Sequence, residues 1–123
     1  MSGLDAIAAE VRAWQAETFG AADRRTGCYS RLDHIRREVG EARDAAYLVD
    51  RYTEEGANPA WLATARAELA AELADVLILL LSACDEAGVD LGEAVARKHQ
   101  VNTRRKWGRP DAAGVTEHIE ARS

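Results

Sequence analysis

Apolar residues recur along most of this chain in steps of three and four, the spacing that gathers them on one side of an α-helix. Ile7, Val11 and Trp14 mark a first helix from about Leu4 to Phe19, with Gly20 to close it. Polar residues from Ala21 to Gly27 predict a loop. A second helix is expected from a cap near Ser30 to about Tyr52, where Leu32, Ile35, Val39, Ala42, Ala46 and Val49 alternate as in a packed seam. Thr53 to Asn58 reads as a turn, and Asn58 followed by Pro59 predicts a cap and the first residue of a third helix. That helix carries its own seam at Leu62, Leu69, Leu73, Val76, Leu80 and Ala83, and should end near Ala87, just before Gly88. Asp90-Leu-Gly-Glu93 has the form of a capping box and opens a fourth helix that fades around Lys106, ahead of a loop-like tail. The expected fold is all-α, an antiparallel helix bundle with about four main helices.

The polar positions break this pattern at one informative place. Asp75 follows Glu72 by one turn and runs straight into the apolar segment Val76 to Leu81. An ionised carboxylate in such surroundings is costly unless a cation or several donors satisfy it. A second pair at the same spacing, Glu38 and Glu41, lies in the second helix. Glu38 precedes Val39 as Glu72 precedes Leu73, and Glu41 precedes Ala42 as Asp75 precedes Val76, so both pairs flank their seams alike. In an antiparallel hairpin such positions fall on the same side of the interface. The midpoint between the pairs falls at Gly56-Ala57, inside the predicted turn, which brings them to one level. Two unit charges about 4 Å apart repel by roughly 4 kcal/mol at an effective dielectric near 20, so four carboxylates there call for a cation. An all-oxygen donor set favours magnesium, with manganese possible, over zinc. Glu38, Glu41, Glu72 and Asp75 are therefore the expected metal ligands. Asp75 is expected at the buried edge, with the Leu-rich run as its wall. Glu68 and His34 extend the two stripes by a turn, although a solvated glutamate and a polar residue at a helix start would occupy the same positions.

Composition narrows the class. The chain has 123 residues, 47% hydrophobic and 30% charged, which fits one globular domain over 1–123. A net charge of −5 argues against general nucleic-acid binding, so an anionic ligand would need locally placed cations. The apolar run from Val76 to Cys84 is well short of the roughly 20 residues that cross a bilayer. The N-terminal residues lack the basic start and apolar stretch of a signal peptide, which leads to the expectation of a cytoplasmic protein with Cys28 and Cys84 as free thiols. Helix four places Lys98, Asn102 and Arg105 one turn apart on one face, with Arg97, Arg104 and Lys106 around them. Such a stripe suits phosphates, and equally an ordinary basic C-terminal turn that complements the helix dipole.

Taken together, these motifs resemble the all-α nucleotide pyrophosphohydrolases, the MazG-like superfamily, whose signature is E-x-x-E followed on the next helix by E-x-x-D. Trp14-Gln-Ala-Glu-Thr-Phe19-Gly20, His34-Ile-Arg-Arg-Glu38, Glu72-Leu-Ala-Asp75, Lys98-His-Gln-Val-Asn102-Thr-Arg-Arg105-Lys-Trp107 and Glu117-His118-Ile119 occur in order, and the combination looks like the dATP/dGTP branch, MazZ. The resemblance implies magnesium-dependent hydrolysis of deoxynucleoside triphosphates, dATP or dGTP, to the monophosphate and pyrophosphate. One of the carboxylates would position or deprotonate the attacking water; the sequence does not single it out, and of Glu38 and Glu41 the expected one is Glu41. Lys98, Asn102 and Arg105 would bind phosphates, Trp14 and Phe19 would flank the base or equally pack in the core, since Trp14 continues the seam of the first helix, and the chain would form a dimer or tetramer. Leu48 to Ala67 is longer than in that branch, which lengthens both hairpin helices. A non-catalytic helical interaction module with an acidic face is the competing reading.

Overall fold

The computed structural model describes residues 3–20 and 27–119. Four helices follow one another: α1 (Gly3–Phe19), α2 (Gly27–Glu55), α3 (Pro59–Ala87) and α4 (Leu91–Arg104). Two short strands, β1 (Lys106–Trp107) and β2 (His118–Ile119), come after them. The all-α expectation holds, with boundaries close to those the caps predicted. The expected loop at 21–27 lies outside the described residues except for Gly27, which already belongs to α2.

Short-range chemistry sets most of these ends. Asn58 caps α3 by accepting a 2.8 Å hydrogen bond from the Ala60 amide, and Pro59 occupies the first helical position. Gly88 ends the same helix in the left-handed region, with φ of 69°. The second helix departs from expectation at both ends. It starts at Gly27, whose φ of 79° makes the break that Ser30 was expected to make. It continues to Glu55 because Thr53 turns its hydroxyl back onto the Val49 carbonyl at 2.7 Å and Arg51 pairs with Glu55 at 2.8 Å, both one turn apart. The turn is thereby reduced to Gly56–Asn58.

The chain divides into two compact units, Met1–Asp90 and Leu91–Ser123. In the first, α2 and α3 form the long antiparallel hairpin. Its register can be read from contacts far from the acids: Tyr52 and Trp61 bring their rings to 6.1 Å near the tip. Their midpoint falls at Gly56-Ala57, as does that of Glu41 and Glu72. At the open end Arg31 meets Glu86 at 3.0 Å, with the glutamate side chain only 8% exposed, a charge contact that lacks an aligned hydrogen bond. The first helix packs on α3: Arg12 donates to Asp85 at 2.7 Å and Gln15 to Ser82 at 2.6 Å. Rising numbers on α1 meet falling numbers on α3, so these helices are antiparallel and the Phe19 end of α1 points toward the level of Asp75.

Burial falls short of the expected seams. Among the described residues Ala42, Ala65, Leu81, Ser82 and Ala83 are buried, whereas Leu32, Val39 and Leu73 are exposed, Leu73 by 53%. The apolar run after Asp75 is not enclosed from its start: Val76, Leu79 and Leu80 are half-buried, Leu77 and Ile78 are exposed, and full burial begins at Leu81 and extends to Ala83. The reason is geometric. A two-helix hairpin buries one narrow seam, and α1 reaches α3 at Ser82 and Asp85. No described helix is long and apolar enough to cross a membrane.

In the second unit the expected loop-like tail is instead a small antiparallel pairing, Lys106 opposite Ile119 and Trp107 opposite His118. Asp111 makes the return possible, its carboxylate accepting the amides of Ala113 and Val115, both at 2.9 Å. The Trp107 indole donates to the Asn102 carbonyl at 2.9 Å and ties β1 to the last turn of α4.

Candidate metal centre

Three of the four predicted carboxylates come together. Glu38, Glu41 and Glu72 each place an oxygen within 4.8 Å of the others, two from α2 and one from α3. The helix period puts Glu38 and Glu41 on one face of α2, and the hairpin register carries Glu72 across from Glu41. Glu38 and Glu72 are half-buried and Glu41 is exposed. Glu41 records the crowding. Its carboxyl is raised above its ordinary value chiefly by the negative charge of Glu38, next by a hydrogen bond with that same side chain, then by Glu72, by partial desolvation and by Asp75. The donors are all carboxylate oxygens, and this uncompensated repulsion is what a hard divalent cation relieves, so the residues fit magnesium or manganese.

Asp75 stands differently from its expectation. It contributes to the field at Glu41 yet lies outside the close trio, and it is exposed rather than held at a buried edge. The apolar residues that follow it do not wall it in, for the geometric reason given above. Glu68 lines a cavity of about 400 Å³ at the hairpin tip, with Leu48, Tyr52, Trp61, Thr64 and Ala65. His34 touches the cluster directly: its Nε2 lies 3.1 Å from Glu38 Oε1. The spacing of four residues already set His34 one turn before Glu38 on the same stripe, where a plain polar residue at a helix start was the competing reading.

Trp14 and Phe19 pack edge to face with ring centroids 5.5 Å apart, and both remain exposed. In the second unit α4 carries Lys98 and Asn102, and Arg105 follows directly after its last residue, Lys98 exposed and the other two half-buried; the expected stripe on one helix thus ends one residue short. Arg97, which flanks that stripe, is paired with Glu93 at 2.6 Å. The two cysteines are free; burial pushes the Cys84 thiol up, with a further contribution from Cys28 on the opposite helix.

An acid-lined α2–α3 hairpin in an all-α chain defines a class, and the comparisons agree with it: the fold is that of the MazG-like pyrophosphohydrolases. A solved structure of the MazG-like pyrophosphohydrolase of cyanophage S-2L, bound to dGDP and three catalytic Mn2+ ions per active site, matches with a TM-score of 0.63 at 24% identity, covering 98% of this chain and 97% of that one. At the level of particular proteins, the chain is 43% identical over 58 residues to the dATP/dGTP diphosphohydrolase of cyanophage S-2L and 46% identical over 50 residues to that of Salmonella phage PMBT28. These matches cover 47% and 41% of this chain, and 54% and 17% of the respective relatives, so the chain spans about half of one relative and a smaller part of the other. No family model matches. The resemblance read from the motifs thus holds in sequence and in fold.

Proposed function

We propose that the chain is a metal-dependent pyrophosphohydrolase of deoxynucleoside triphosphates, dATP and dGTP in particular. The observation that carries the proposal is the trio of Glu38, Glu41 and Glu72 oxygens within 4.8 Å on the hairpin. It is supported by the names of the two phage relatives and by the dGDP and manganese ions in the cyanophage structure. In the reaction water adds to the α-phosphorus, the bond from that phosphorus to the bridging oxygen breaks, and the monophosphate and pyrophosphate leave.

Glu38, Glu41, Glu72 and Asp75 are the proposed ligands of magnesium, with manganese an effective substitute. When bound, the ions supply neutralisation of phosphate charge and a water of lowered pKa. Glu41 is the proposed acceptor of the water proton, because it lies within the close trio and is its most exposed member, with Glu38 as its neighbour one turn before it. Lys98, Asn102 and Arg105 are proposed phosphate ligands: the cations offset charge, and the amide adds a neutral donor. Trp14 and Phe19 are the proposed base platform, because α1 runs toward the Asp75 end of the acid stripe and both rings are exposed. Residues 1–123 are proposed to act as one domain, in a cytoplasmic homo-oligomer, a dimer or tetramer.

The test is release of pyrophosphate from dATP or dGTP by purified protein with magnesium or manganese. Absence of turnover across all common nucleotides, with folded protein and metal present, would sink the proposal. Asp75→Asn should lower turnover by more than the roughly 10- to 100-fold typical of losing a hydrogen-bond partner behind a ligand, while leaving the melting temperature near wild type because the side chain is exposed.

A further inference from the structure

We infer that His34 is a positioning residue for Glu38, fixing one oxygen of that carboxylate so that the group meets the metal in a single orientation. The inference rests on the metal reading above and goes one residue beyond it. His34 lies one helical turn before Glu38, and its Nε2 is 3.1 Å from Glu38 Oε1. An ionised carboxylate oxygen only accepts, so the imidazole proton sits on Nε2 and the histidine is the donor. The two are unequally enclosed: the Glu38 side chain is 22% exposed and that of His34 45%. The imidazole is therefore the more solvent-facing member of the pair.

Glu38 is also the residue most tied to its neighbours. It hydrogen-bonds Glu41, provides the largest effect on that residue, and belongs to the close trio with Glu72. A long glutamate side chain left alone samples several rotamers, whereas a metal site needs its ligands placed to within about half an ångström. Holding one oxygen removes part of that freedom before the cation arrives. Hydrogen-bond partners behind metal ligands typically change metal affinity by about 10- to 100-fold when removed. An ordinary histidine–glutamate pair one turn apart on a helix would instead affect only helix stability. Metal affinity separates the two roles.

The experiment is titration of Mn2+ alone into the metal-free protein, followed by calorimetry, for wild type, His34→Ala and His34→Gln. His34→Ala is expected to weaken Mn2+ binding by about 10- to 100-fold and to raise the metal concentration giving half-maximal turnover. His34→Gln, which keeps a donor on a flexible arm, is expected to recover most of the affinity. Unchanged Mn2+ affinity in His34→Ala would overturn the inference, and so would equal weakening in both variants, because the claim is one of hydrogen-bond donation. Wild-type protein that binds no Mn2+ would overturn the metal reading itself, a result distinct from either.

Discussion

At the scale of single residues, Glu41 makes the site measurable without substrate. Its carboxyl is raised in the folded chain, mainly by Glu38, so folding favours its protonated form. The stabilising contribution is fully present below the unfolded value, about 4.3 for a glutamate, and is lost as pH rises through the folded value. In the metal-free protein this contribution should lower the melting temperature as pH is raised above the unfolded value. Manganese should weaken or reverse that trend, since it binds the ionised acids and not the protonated ones. Thermal melts across this range with chelator and with Mn2+ check the point; identical profiles would show that the acids hold no ion. The meeting of Glu38, Glu41 and Glu72 was legible in the sequence because helical spacing and a common midpoint are properties of the chain alone. The exposure of Asp75 was not. An apolar run shows that a segment is suited to burial, without specifying which of its residues a short α1 reaches.

Helices and turns show the same division. The cap at Asn58-Pro59 and the stop at Gly88 were readable because each depends on a few adjacent residues. The start of α2 was misread because Ser30 can cap a helix but equally sits inside one, and the strand pair after α4 was missed because it depends on Trp107 meeting His118 across an intervening loop. Gly40 belongs to this scale. It lies inside α2 between the two acids, and a Cβ built there would find nothing within 4 Å. Glycine in a helix interior costs about 1 kcal/mol relative to alanine, so Gly40→Ala should stabilise the protein by about that amount in a denaturant titration. If the same variant loses turnover although it is more stable, a ligand or a second backbone comes close to Gly40 during function.

For the molecule as a whole, the notable quantity is apolar surface left outside. Leu32, Val39, Trp61, Leu73, Leu77 and Ile78, all on the hairpin, are exposed in the single chain. Soluble monomers rarely leave a contiguous apolar patch beyond a few hundred Å². Light scattering coupled to size exclusion should therefore give a mass at least twice 13.4 kDa at micromolar concentration. A strictly monomeric protein would remove the proposed oligomer and leave the exposed leucines without a role.

The hairpin tip has a consequence for how such a chain can change length. Because Glu41 and Glu72 are equidistant from Gly56-Ala57, the tip serves as the origin from which the level of both acid pairs is measured. Residues added in matched numbers to the ends of α2 and α3 move the turn outward and leave the acids facing one another. One residue added on a single side slides its helix by about 1.5 Å and turns it by roughly a quarter-circle, which takes a carboxylate off the shared face. Variation between Leu48 and Ala67 is thus free in length but constrained in symmetry, and a longer or shorter hairpin can keep the same two acid pairs at one level.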